Sequence, residues 1–319
     1  MPVLPQPLYQ RPLHLFNGHA ETIVPSLFRK VQGVPYTRER LELADGDFLD
    51  LDWLRNGQKR VVVISHGLEG SSDRHYVKSM ARYLGQHGWD VLAWNCRSCS
   101  GEMNRLPRLY HHGATDDLSA VIDHARLKHY DTVALVGFSM GGSLTLKYLG
   151  ERGLNVPPEI SAAVAFSVPC HLGSSARELD KPGKAFYRDR FLKKLKKKMI
   201  EKAARFPDLI SVRHIDTIRT FADFDNAYTA PLHGFTHAED FYQRASSGQY
   251  LAGIRKPVLI VNAENDPFLP KECYPVALAQ QHDFVHLEMP TRGGHVGFSL
   301  HGKSHSWMDE RALGFLSLR

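Results

Sequence analysis

Three segments, far apart in this sequence, carry residue types that could together perform nucleophilic chemistry. They are a serine in Gly137-Phe138-Ser139-Met140-Gly141-Gly142, an aspartate in Glu264-Asn265-Asp266-Pro267, and a histidine in Arg292-Gly293-Gly294-His295-Val296-Gly297. A serine hydroxyl is a poor nucleophile until a base takes its proton and a carboxylate orients that base. The glycines around Ser139 also allow a phosphate-cradling loop, but a P-loop needs Lys followed by Ser or Thr after its last glycine. Ser143-Leu144 stands there instead. A dinucleotide loop needs glycine at the position Ser139 occupies. What remains is G-x-S-x-G, a sharp strand-to-helix turn whose glycines keep side chains away from crowded backbone.

The acid and the base have rivals. Glu264 precedes Asp266 by two residues and falls at a strand end, while Asp223 and Asp225 lie in a different segment. Of eighteen histidines, His286 sits inside a strand pattern, and His301 and His305 follow the loop that carries His295. Order and spacing favour Ser139, Asp266 and His295. Such chemistry also needs N–H donors aimed at the developing oxyanion. The residue after the nucleophile, Met140, offers one, and Leu68 in His66-Gly67-Leu68 offers a second, directly after an apolar strand run.

The elements that must position these residues are legible as apolar runs. Strand candidates are 38–44, 48–54, 60–65, 90–95, 132–138, 161–167, 257–263 and 283–289, the first two joined by the hairpin signal Asp45-Gly46-Asp47. From residue 60 onward these runs alternate with helix-length segments, the pattern of a mostly parallel sheet with helices on both faces. About 90 residues separate two of the strands, far more than one crossover helix requires. The expectation is therefore a single α/β domain over 1–319 with an inserted helical cap at about 170–250.

Composition excludes several classes. At 43% hydrophobic and 23% charged residues, the chain has an ordinary globular make-up, and no window approaches a membrane span. Prolines at 2, 5, 7 and 12 interrupt the N-terminus, so no secretory signal is expected and the cytoplasm is the default location. The net charge of +6 is local: ten Lys/Arg against two acids lie between Lys184 and Arg205, leaving the rest slightly acidic. That distribution argues against nucleic-acid binding. Within the basic segment, Leu192, Leu195, Met199, Ala203 and Phe206 share one helical face, so the expected arrangement is a packed helix with a solvated lysine face. A second reading is weak association of helix 186–206 with anionic membrane surfaces. Four cysteines imply no disulfide framework, and Cys96-Arg97-Ser98-Cys99 has no second C-x-x-C for a zinc site. Thr115 or Asp116 is expected to cap the helix that follows His111-His112-Gly113.

In combination, N-x-H-x-x-T at Asn17, His19 and Thr22, HGLEGSS, NCRSCSGEMNRLPRLYHHGATDDL, GFSMGGSLTLKYLGE, FDNAYTAPLHGF, NAENDPFLP and RGGHVGF resemble the YheT-like α/β-hydrolases, the AB hydrolase 4 family. The resemblance runs from about residue 13 to the C-terminal helix. It implies an α/β-hydrolase fold and hydrolysis of carboxylic esters, short- to medium-chain or acylglycerol, by Ser139, Asp266 and His295 through an acyl-enzyme. It implies a small-molecule acyl ester as partner, with no cofactor, metal or obligate protein partner. Two other readings stay open: transfer of the acyl group to an alcohol, and a non-catalytic ligand-binding homologue.

Overall fold

The computed structural model describes residues 3–318. Helix α1 (Gly18–Phe28) precedes strands β1 (Thr37–Glu42), β2 (Phe48–Leu54) and β3 (Arg60–Ser65). Then α2 (His75–Gln86), β4 (Asp90–Asn95), α3 (Thr115–Arg126), β5 (Thr132–Phe138), α4 (Met140–Arg152) and β6 (Ile160–Phe166) alternate. The eight strands, completed by β7 (Val258–Val261) and β8 (Val285–Glu288), form one sheet in the order β1-β2-β4-β3-β5-β6-β7-β8. β1 with β2 and β2 with β4 pair antiparallel, and every later pair is parallel. The eight strand candidates and the hairpin at Asp45-Gly46-Asp47 are thus all present.

Why the central strands read as unbroken apolar runs is visible in their burial. Val61 and Val63 face one core together with Leu135 and Ala163, while Val62 and Ile64 face the other with Val136 and Val164. Alternate side chains of a strand point to opposite faces, so covering both faces leaves no polar position. On one side lie Met80 and Leu84 of α2 and Met308 and Phe315 of the last helix, introduced below. On the other lie Leu118 and Ile122 of α3 and Leu146 and Leu149 of α4.

Between β6 and β7 run α5 (Leu172–Asp180), α6 (Ala185–Arg205), the short α7 (Phe221–Phe224), a π-helical turn at Asp225–Thr229, α8 (Ala230–Leu232) and α9 (Ala238–Ala245). After β7 come α10 (Val276–Gln281), β8 and α11 (Trp307–Leu316). Among the described residues no helix is long and apolar enough to cross a membrane.

Two expectations need correction. On α6, Leu192, Leu195, Met199 and Ala203 are buried as the periodicity predicts, but the lysines are not all solvated. Lys194, Lys198 and Lys202, four residues apart, form a stripe in which Lys194 stays exposed while Lys198 and Lys202 turn toward the protein. Lys198 Nζ lies 2.8 Å from Glu69 Oε1, and Lys202, fully buried, donates to the carbonyls of Asn104 and Leu106. These acceptors come from loops remote in sequence, which helical periodicity cannot show. The second correction concerns α3, whose N-cap is Ala114 without a side-chain cap. Thr115 Oγ1 instead donates to Glu151 at 2.8 Å, and Asp116 accepts from Arg108 at 2.8 Å.

Candidate active site

Strand order reverses beside β3: β4 lies on one side of it, and β5 on the other. Loops leaving the carboxyl ends of β3 and β5 therefore diverge and open a crevice, the place where open α/β sheets bind ligands. Ser139 follows β5 there. Its backbone is held at φ 53, ψ −116, a conformation that non-glycine residues rarely adopt. The turn is possible only because its neighbours lack side chains. A Cβ on Gly137 would lie 2.4 Å from the Gly141 carbonyl oxygen, and one on Gly141 would lie 2.2 Å from that of Ser65. Ser139 N–H donates to Phe166 O at 2.8 Å and Ser139 O accepts from Ser143 N–H at 3.0 Å, which ties the turn to β6 and α4.

The structure brings the three expected groups together. His295 Nε2 is 2.9 Å from Ser139 Oγ, and His295 Nδ1 is 2.8 Å from Asp266 Oδ2. Because a carboxylate only accepts, Nδ1 carries the proton and Nε2 presents its lone pair to the serine hydroxyl. Asp266 is buried and also accepts from the Phe268 N–H at 2.8 Å. The Phe268 ring stacks on His295 with centroids 4.0 Å apart, restricting the imidazole from its open face.

The Gly67-Leu68 turn lies against the nucleophile, since a Cβ on Gly67 would sit 3.3 Å from that of Ser139. His66 pins it. Its Nδ1 donates to Gly67 O at 2.7 Å, leaving Nε2 to accept the Cys96 N–H at 3.1 Å. Burial pushes this imidazole down to about 4, so it is neutral at pH 7. Gly67 N–H donates to Tyr76 Oη, and Glu69 N–H donates to Tyr110 Oη, whose proton goes to Glu69 Oε1 at 2.6 Å. Met140, as the first residue of α4, has an N–H without an acceptor in its own helix.

Residues of α1 supply contacts that sequence reasoning did not foresee. Asn17 Oδ1 caps the helix by accepting Ala20 N–H at 2.8 Å. Thr22 Oγ1 accepts the His295 backbone N–H at 2.8 Å while donating to Gly18 O. Glu21 accepts from the Asn265 side chain at 2.5 Å, and Asn265 Oδ1 accepts from Gly294 N–H at 3.0 Å. One helix thus holds both the acid loop and the base loop. His19 Nδ1 lies 2.9 Å from Tyr187 Oη, linking the same helix to α6. The motif N-x-H-x-x-T was the signal for this set, but its spacing alone names no partner.

Two cavity arms meet at Ser139 and share Leu68, Phe191, Phe268 and His295 on their walls. The first, about 910 Å³ including its mouth, is lined by apolar side chains such as Leu172, Leu179, Leu195, Met199, Phe221 and Phe224. His111 and His112 line it too; burial lowers His112 to about 4 and His111 well below the ordinary histidine value. Asp225, in the π-helical turn, also faces this arm, and burial pushes its carboxyl up to about 6. The second arm, about 820 Å³, passes between α1, the segment from Gly67 to the start of α2, and α6. Among the described residues no three His, Cys, Asp or Glu side chains gather as a metal ion would require, and all four cysteines are free thiols.

The sequence model of the alpha/beta hydrolase fold family matches residues 60–301. The chain is 34% identical over 316 residues to YheT of Escherichia coli strain K12, named as an esterase, covering 94% of this chain and 90% of that one. It is 29% identical over 294 residues to a Bos taurus protein named phospholipase ABHD3, covering 89% of this chain and 71% of that one. Among solved structures, the esterase PF2001 of Pyrococcus furiosus matches with a TM-score of 0.59 at 17% identity, covering 91% of this chain and 95% of that one. That last likeness is one of fold.

Proposed function

The chain belongs to the α/β-hydrolase family, and from that premise we propose that it hydrolyses carboxylic esters with Ser139 as nucleophile. The observation that carries this reading is the continuous relay from Ser139 Oγ through His295 to buried Asp266, placed where two cavity arms meet. Ser139 attacks the acyl carbonyl as His295 Nε2 takes its proton, and Asp266 stabilises the imidazolium. The Leu68 and Met140 N–H groups receive the oxyanion. His295 then protonates the departing alcohol, leaving an acyl-enzyme. Water attacks it with His295 again as base, and the acid is released.

The apolar arm suits a short- to medium-chain acyl group, and the segment over about 170–250 serves as the cap that roofs it. The names of the two relatives, esterase and phospholipase, support an acyl ester as substrate. A second reading, acyl transfer to an alcohol, rests on the second arm, which gives an acceptor alcohol room beside Ser139.

A p-nitrophenyl ester series from acetate to decanoate tests the proposal on wild type and Ser139→Ala. The variant is expected to lose at least about a thousandfold in kcat. Equal rates for the two proteins would overturn the serine mechanism, and rates at the uncatalysed background in both would leave a binding homologue. Ester products formed in the presence of added alcohol would reveal transfer.

A further inference from the structure

The second cavity arm is charged in a way that the reaction just proposed does not require. Its wall carries Arg74, Arg190 and Lys194, with Glu69 as the only carboxylate side chain among the described residues. Glu69 is already engaged, its Oε1 bonded to Lys198 at 2.8 Å and to Tyr110 at 2.6 Å. Arg74 meets neutral hydroxyls, those of Ser26 at 3.2 Å and of Tyr76, and Lys194 donates to the Glu69 backbone carbonyl at 3.3 Å. Arg190 has no hydrogen bond or ion pair among the described residues. Asp73, next to Arg74, is taken by Lys78 at 2.6 Å. Burial, and then repulsion from Arg74, lower the Lys194 ammonium below the ordinary lysine value.

Three cations facing one carboxylate that Lys198 and Tyr110 already hold is a costly arrangement in a partly desolvated cleft. On the same wall His75 Nε2 is buried without a partner. An oxyanion group entering the arm would meet two guanidinium forks and an ammonium, the donor set that binds phosphate and carboxylate well. The opposite arm offers hydrocarbon walls instead.

Building on the ester-hydrolase reading, we propose that the second arm binds an anionic alcohol half of the substrate, a phosphate or carboxylate close to the scissile ester. Arg74, Arg190 and Lys194 hold the anion, and the apolar arm holds the acyl chain. The exposed member of the α6 lysine stripe, Lys194, is then part of a substrate site and not only a surface charge.

The test compares esters that share a hexanoyl group: 1-hexanoylglycerol against its 3-phosphate, and phenyl hexanoate against 4-(hexanoyloxy)benzoate. Wild type is expected to favour at least one anionic member by about tenfold or more in kcat/KM. In the double variant Arg190→Gln/Lys194→Gln that anionic-to-neutral ratio should fall about tenfold, chiefly through KM. The outward pair Lys193→Gln/Lys197→Gln should leave the ratio where it was. Preference for the phosphate or for the carboxylate ester identifies the anion. A ratio near one in wild type, or the same ratio in Arg190→Gln/Lys194→Gln, would overturn the proposal. If wild type cleaves none of the four esters, it is the hydrolase reading that fails. Calorimetric titration of glycerol 3-phosphate and benzoate then decides the anion site alone: binding weakened about tenfold in the double variant supports it, and equal affinity for both proteins refutes it.

Discussion

The Thr22 side chain holds the backbone N–H of His295 at 2.8 Å, across 273 residues of sequence. The same hydroxyl donates to Gly18 O at 2.6 Å, so its orientation is fixed and its lone pair is aimed at the base loop. Thr22→Val keeps the shape and removes the acceptor. The loss of one such bond is worth up to about 1.5 kcal/mol, close to a tenfold change in rate. kcat for ester hydrolysis should fall about tenfold with KM nearly unchanged, and Thr22→Ser should restore most of it. A rise in KM with constant kcat would show that Thr22 acts on binding and not on the position of His295.

Acid should weaken the fold through imidazoles held neutral. Burial lowers His66 to about 4, His75 to about 3 and His112 to about 4, against about 6.5 in an unfolded chain. Between those values the unfolded state binds more protons, so stability is full above pH 6.5 and falls as pH drops toward 4. Asp225, raised to about 6, acts in the opposite sense, as do the raised carboxyls of Asp117 and Asp309, while the lowered imidazoles of His111 and His233 add to the acid sensitivity. The Tm of wild type should decline from pH 6.5 to 4.5. The Tm gap between wild type and His66→Gln should narrow over the same range, and a constant gap would contradict the role given to His66.

Glycines in this chain divide sharply by what surrounds them. Gly141→Ala would push a methyl to 2.2 Å from the Ser65 carbonyl oxygen, and neither backbone can yield without moving β3 from α4. A loss of about 3 kcal/mol or more is expected, seen as a lowered denaturant midpoint or an insoluble product. A Cβ on Gly314, inside α11, would instead meet nothing within 4 Å. Gly314→Ala should gain about 0.5–1 kcal/mol from helix propensity.

Met199, fully buried, contributes its thioether to the wall of the apolar arm. Met199→Phe adds a ring to that wall and shortens the space left for a chain. The ratio of decanoate to acetate hydrolysis is expected to drop at least fivefold. An unchanged chain-length profile would place the acyl group elsewhere.

Strands were legible because each central one is buried on both faces, which forces apolar runs such as Val61–Ile64. Ser139, Asp266 and His295 were legible as a candidate set because they stand in loops after β5, β7 and β8, in the order nucleophile, acid, base. What stayed hidden depends on contacts between distant segments. The helical period of α6 placed Lys194, Lys198 and Lys202 on one stripe, yet only the fold shows Glu69 and the Asn104 and Leu106 carbonyls lying beneath it. Likewise Thr115 looked like a helix cap because capping is local, while its actual acceptor, Glu151, lies 36 residues on.

The clasp of α1 on the acid and base loops also bears on biosynthesis. Glu21 and Thr22 leave the ribosome long before their partners Asn265 and His295. A nascent chain that has reached α4 already contains Ser139 but has neither base nor clasp. Under the proposed mechanism, hydrolytic competence therefore arrives in one late step, when these distant segments of the translation product close on each other.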